Sequence, residues 1–267
     1  MDENILYVDS LVVDKIINGI SFSLNEKTIN AVLCPNNCGK TTLIKTLSGV
    51  IYKNSGKIVV NDIELSKSNF DKYILEIGTV LEDIDNSFIK ETVIDELKYP
   101  LINLGYKKAK IKKLVDKISD ITEINSILDN NISDLDTINK IKTLIATSII
   151  HEPKVLFIDD VLRFLNKKEK KEILDLIKRI NYELGITILY TTSDIEDIID
   201  INNIIVMSEG KIKFIDTYKN IIYRDNDLTK MGFTIPVMID LSRKLEFYNL
   251  LDDIYYDPDK VVNKLWN

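Results

Sequence analysis

Cys34-Pro35-Asn36-Asn37-Cys38-Gly39-Lys40-Thr41-Thr42 places a glycine, a primary amine and two hydroxyls in the order that a phosphate-binding loop requires. In such a loop successive backbone N–H groups and the first turn of the following helix surround phosphate oxygens. Lys40 adds a point charge and Thr41 a hydroxyl oxygen for Mg²⁺. A second constellation, Val155-Leu156-Phe157-Ile158-Asp159-Asp160, is an apolar run that ends in two carboxylates. Asp159 suits Mg²⁺, directly or through water, and Asp160 stands where a general base could meet an attacking water. Taken alone, Gly-Lys-Thr turns up by chance and an acid pair is more often a strand cap. Together they point to a nucleoside triphosphate site.

These residues need particular elements to hold them. Ile29 to Leu33 reads as the buried strand that feeds the loop, and Thr42-Leu43-Ile44-Lys45-Thr46-Leu47 as the helix that leaves it. Val155 to Ile158, Ile186 to Tyr190 and Ile204 to Met207 are further short apolar runs bounded by polar residues, as expected of strands buried on both faces of a parallel sheet. Strands that alternate with charged stretches of helical period predict an α/β fold. From about Glu91 to Ile150 the pattern becomes wholly helical, with Ile111, Leu114, Val115 and Ile118 on one face, which predicts a helical insertion. After a strand over Lys211 to Ile215, the tail from about Asn220 has Val237, Met238, Leu241 and Leu245 at the spacing of one helix face. The expected division is a main domain over 1–219 and a small helical appendage over 220–267.

Composition excludes several classes. Forty-two Asp and Glu against 35 Lys and Arg give a formal charge of -7, which disfavours nucleic acid as a partner. No run approaches the roughly 18–20 apolar residues of a membrane-spanning helix, and Met1-Asp2-Glu3-Asn4 has neither the basic region nor the apolar stretch of a leader. Two cysteines four positions apart, Cys34 and Cys38, make no secretory disulfide framework, so a reducing cytosol is the expectation and an inert thiol pair the simpler reading than redox control. Zinc lacks ligands there. His151 is the single histidine and falls at a helix end, where a capping or surface role is expected.

With these residues in place, the chain resembles an ATP-binding-cassette (ABC) ATPase over nearly its entire length, in particular the ATPase component of energy-coupling factor (ECF) importers and related cobalt and nickel systems. Leu47-Ser48-Gly49 with Ser55-Gly56-Lys57-Ile58 is similar to the family's early β-subdomain, and Ile77 through Asp83 to its Q-loop. Asp85-Asn86-Ser87-Phe88, Thr92-Val93, Asn103-Leu104-Gly105 and the tail Met231-Gly232-Phe233-Thr234-Ile235-Pro236 resemble segments of the ECF subgroup. The resemblance implies a P-loop NTPase of the ABC type, with Mg-ATP held by Asn36, Asn37, Cys38, Gly39, Lys40, Thr41 and Thr42 and with Thr41, Asp159 and Glu82 around the metal. It also implies a second ABC ATPase subunit that completes two sandwiched ATP sites. A transmembrane ECF-type partner would hold the chain at the cytoplasmic face of the membrane for uptake of a vitamin or metal ion.

Several positions depart from the family pattern. The signature, usually Leu-Ser-Gly-Gly-Gln, falls on Leu135-Asp136-Thr137-Ile138-Asn139, and Asp136 there also reads as an N-cap. Asp160 replaces a glutamate, Ser193 the switch histidine, Glu82 the Q-loop glutamine, and Asn166, closing Leu162-Arg163-Phe164-Leu165, the D-loop aspartate. The ECF-like segment has Ile84 where proline is usual and Ser87 where glutamine is usual. The adenine-stacking aromatic falls by count on Leu11 or Val12, with Tyr7 a weaker candidate. The expectation is ATP binding with hydrolysis well below that of an intact cassette. Two alternatives stay open: a degenerate subunit that supports an active paralogue, and a soluble ABC protein outside transport.

Overall fold

A computed structural model describes residues 4–266; Met1-Asp2-Glu3, read above as lacking a leader, lies outside the described residues. The strands are β1 (Asn4–Val13), β2 (Ile17–Asn25), β3 (Ile29–Leu33), β4 (Ser55–Val60), β5 (Ile63–Glu64), β6 (Ile77–Val80), β7 (Val155–Ile158), β8 (Thr187–Thr192), β9 (Asn203–Ser208) and β10 (Lys211–Asp216). The helices are α1 (Lys40–Leu47), α2 (Phe70–Tyr73), α3 (Val93–Asn103), α4 (Lys108–Thr122), α5 (Thr137–Ile149), α6 (Lys167–Leu184), α7 (Tyr218–Ile222), α8 (Asp225–Lys230), α9 (Val237–Phe247) and α10 (Pro258–Trp266).

The strands form two sheets, β2-β1-β4-β5 and β10-β9-β3-β8-β7-β6. In the larger sheet β9, β3, β8, β7 and β6 run parallel, and β10 closes one edge antiparallel to β9. Its central strands are buried along their length, which is why they read as unbroken apolar runs rather than alternating ones. The two-residue period still sorts their side chains between two cores. Ala31, Leu33, Leu156 and Ile158 face a core shared with α3, α4, α5 and α6, whereas Val32, Val155 and Phe157 face one shared with α1 and the four-stranded sheet. The outcome is the α/β fold expected from the sequence.

The helical insertion is α3, α4 and α5, and the predicted face of α4 is the buried one: Ile111, Leu114, Val115 and Ile118 all lie in the core. Asp136 caps α5, with its side chain accepting from Asn139 N–H at 2.9 Å. The tail is helical where the apolar spacing predicts it, in α9; Ile239 and Ser242 are its buried residues, while Val237 and Leu241 of the predicted stripe are exposed. Helical spacing identifies a stripe but not the direction it faces, and here Ile239 packs with Leu228 and Phe233 into the main core.

Candidate functional site

The parallel strands end side by side, and each delivers one part of the site from its carboxyl end, where open α/β sheets expose their loops. The loop Asn36 to Thr42 follows β3, Ser193 follows β8, Asp159 and Asp160 follow β7, and Glu82 follows β6. Hydrogen bonds prolong the ladder past the strand ends: Cys34 N–H donates to Thr192 O (3.0 Å) and Asp159 N–H to Val80 O (2.9 Å). A cavity of about 840 Å³ opens there, lined among others by Asn36, Asn37, Gly39, Lys40, Thr41 and Thr42 on one side and by Glu82, Asp160 and Ser193 on the other.

Local backbone geometry fits the loop chemistry. Gly39 has φ +107° at the start of α1, and a Cβ there would come within 2.9 Å of Ile17 and 3.0 Å of Ile16. Asn37, standing where the family pattern has glycine, takes φ +62°, a region that asparagine tolerates better than most side chains. Asp160 is also left-handed, at φ +45°, so the chain turns sharply just as it leaves β7. The sulfurs of Cys34 and Cys38 meet across the loop, their Cα atoms 6.2 Å apart, a spacing that a disulfide can span. The sequence reading of an inert thiol pair carried no contact between the two; loop curvature brings their sulfurs together.

The charged groups are paired among themselves. Lys40 Nζ lies 2.8 Å from Asp160 Oδ2 with both side chains buried, although no acceptor meets the amine in good hydrogen-bond geometry. Arg163 reaches in from the segment after β7, its Nη2 3.1 Å from Glu82 Oε2 and its Nη1 3.9 Å from Asp160 Oδ2. Asp159 is fully buried. Its Oδ1 accepts from Thr191 Oγ1 at 3.1 Å, and its Oδ2 has no partner. Burial pushes this carboxyl up to about 6; hydrogen bonds from Thr41 and Thr191 oppose the rise and the Glu82 and Asp160 charges add to it. Ser193 sits on a loop pinned by Lys170, which pairs with Asp194 at 2.8 Å and with Asp197 at 3.0 Å.

A stability prediction follows from Asp159. Its folded-state pKa is raised, so between about pH 4 and 6 the native state binds more protons than the unfolded chain and stability falls as pH climbs through that window. Above it the penalty is fully present, on the order of 3 kcal/mol at roughly 1.4 kcal/mol per pKa unit. Asp159→Asn is therefore expected to raise the melting temperature at pH 7 by about 5 °C. Thermal melts of both proteins from pH 4 to 8 check this, and the gain should vanish near pH 4; an equal gain at all pH values would contradict the assignment.

Three residues that line the cavity carried no role in the sequence reading. Ile16, in the turn between β1 and β2, is half-exposed and forms an apolar wall, whereas Leu11 is buried within the smaller sheet and neither Val12 nor Tyr7 lines the cavity. Bulges interrupt the β1–β2 register at Val8/Leu11 and Leu11/Val12, beside the residues on which the count to the adenine-stacking position falls. Arg163 and Phe164 are the others, stacked at 4.6 Å. Their bulk in an otherwise apolar Leu162 to Leu165 segment was the available signal. Asp136 is not among the residues lining the cavity, and its side chain is committed to capping α5. His151 Nε2 hydrogen-bonds Ile77 O at 3.1 Å away from the site, with burial holding its pKa below the usual range.

A family model for ABC transporter proteins matches residues 17–163. The energy-coupling factor transporter ATP-binding protein EcfA1 of Lacticaseibacillus paracasei is 27% identical over 94% of this chain and 90% of its own length. The protein of the same name from Ureaplasma parvum is 28% identical over 94% and 85%. Among solved structures, cbiO1 of Clostridium perfringens, described as part of the ABC transporter complex cbiONQ, superposes with a TM-score of 0.78 at 26% identity, covering 91% of this chain and 99% of that one.

Proposed function

This chain belongs to the ABC transporter family, and on that premise we propose that it is the ATP-binding subunit of an ECF-type importer, coupling ATP binding and slow hydrolysis to uptake through a membrane partner. The observation that carries the reading is the convergence of Lys40, Thr41, Asp159 and Asp160 beyond the carboxyl ends of β3 and β7, the parallel strands that flank β8, in a chain whose relatives of nearly full coverage are named as ECF ATP-binding proteins.

Binding begins with an exchange of partners. Lys40 releases the Asp160 carboxylate and turns to the β- and γ-phosphates, while the N–H groups from Asn36 to Gly39 and the start of α1 take the remaining oxygens. Mg²⁺ fits the residues present: Thr41, Asp159 and Glu82 offer oxygen donors, and the unpartnered, buried Oδ2 of Asp159 is an acceptor in want of a cation. The bound ion would neutralise charge on the β- and γ-phosphates. Asp160 accepts the proton of the attacking water, and Ser193 faces it without a histidine's capacity to carry that proton.

Hydrolysis is slow on this reading because Asp160 is short and tethered to Lys40, and because Asp136 occupies an amide of α5 that a signature motif would turn towards a partner's phosphate. The same two observations favour the second reading, a degenerate subunit beside an active paralogous ATPase. Residues 220–267 form the appendage of a main domain over 1–219. A second ATPase subunit completes the site, and a transmembrane partner holds the chain at the cytoplasmic face of the membrane; among the described residues no helix is long and apolar enough to cross it.

The test is recovery of the tagged protein from its own cells in mild detergent, with companions identified by mass spectrometry. A polytopic membrane protein together with a second cassette bearing an intact signature is expected. Recovery alone, or with ribosomes or DNA-processing proteins, would remove the transporter assignment.

A further inference from the structure

Two cations converge on one carboxylate oxygen in the site. Asp160 Oδ2 lies 2.8 Å from Lys40 Nζ and 3.9 Å from Arg163 Nη1, and the other end of the guanidinium holds Glu82 at 3.1 Å. Lys40 is the phosphate loop's own charge, so the anionic oxygen it faces marks where a phosphate oxygen can be held. Arg163 is aimed at the same point. From these distances we propose that Arg163 is a ligand of the γ-phosphate, exchanging Glu82 and Asp160 for the terminal phosphate of ATP. This rests on the reading of the cavity as an ATP site.

The surroundings suit that role. Arg163 lies in the short segment that the left-handed Asp160 turns back across the cavity mouth, and Phe164 stacks beneath the guanidinium at 4.6 Å, limiting the conformations it must lose on binding. The side chain is 48% exposed, so it is not a strut buried in the core. A guanidinium presents paired N–H donors that match phosphate oxygens, and a terminal phosphate, with three oxygens and up to two charges, can engage it and Lys40 together where a carboxylate is shared awkwardly between them. The site lacks a switch histidine and a Q-loop glutamine, two groups that could otherwise meet the terminal phosphate region. Arg163 supplies a donor there from within the same chain. ADP ends one phosphate short and leaves Arg163 on its carboxylates, so the contact discriminates ATP from ADP.

Calorimetric titration of the full chain with Mg-ATP and Mg-ADP tests this. Arg163→Ala is expected to lower ATP affinity by about tenfold or more while ADP affinity stays within about twofold, and Arg163→Lys to recover part of the loss because it restores charge without the fork. Equal losses for both nucleotides, or no loss in Arg163→Ala, would overturn the role of Arg163 alone. Wild-type protein that binds neither nucleotide, or binding unaffected by Lys40→Ala, would remove the ATP site itself and the inference with it.

Discussion

Lys40→Ala is expected to lower ATP affinity by at least about a hundredfold and, unlike most loop substitutions, to destabilise the nucleotide-free protein as well. The first effect follows from charge-assisted hydrogen bonds to two phosphates, each worth roughly 1.5–3 kcal/mol. The second follows from the ion pair that Lys40 makes at 2.8 Å with a carboxylate only 3% exposed. Removing Lys40 leaves the Asp160 carboxylate, in a poorly solvated place, with only the longer 3.9 Å contact to Arg163, a loss of up to about 3 kcal/mol. Asp160→Asn added to Lys40→Ala removes the stranded charge, so the double variant should regain most of the melting temperature and none of the ATP binding. Titration calorimetry and thermal melts of the four proteins complete the cycle. A Lys40→Ala protein that binds ATP like the wild type would refute the phosphate-loop assignment.

The joint substitution Asp160→Glu and Ser193→His is expected to raise ATP turnover by about tenfold to a hundredfold, read as phosphate release by the purified protein. One added methylene lengthens the acid by about 1.5 Å, and errors of about 1 Å in placement can cost on the order of a hundredfold. Asp160 now turns to Lys40 instead of into open cavity, and Ser193 lines the wall where an imidazole could carry or orient a proton. Each single substitution should give less than the pair. Unchanged turnover in the double variant would mean that hydrolysis is limited elsewhere, with the capped start of α5 at Asp136 the next place to look.

Much of the site was legible in the residue order. The phosphate loop is one contiguous stretch whose donors are its own backbone N–H groups, and the strand before it and the acids after Ile158 announce themselves through short apolar runs that only a doubly covered sheet requires. The N-cap at Asp136 was equally local, since its acceptor and donor lie three residues apart. Reading by count does not see bulges: the β1–β2 register shifts beside Leu11 and Val12, and of the residues in that region it is Ile16 that lines the cavity. In the tail, amphipathic spacing found the helix over Val237–Phe247 but not which of its residues the core covers.

The sequence by itself therefore determined the family, the central sheet and the strand, loop and helix that carry Lys40 and Thr41, because each depends on neighbours along the chain or on runs of buried side chains. Only the tertiary structure decided which charges neutralise one another. The pairs of Lys40 with Asp160 and Arg163 with Glu82, and the meeting of Cys34 with Cys38, depend on angles at the ends of β3, β7 and β6 and on a left-handed turn at Asp160. Electrostatic partners are chosen by distance through space, which separation along the chain does not encode.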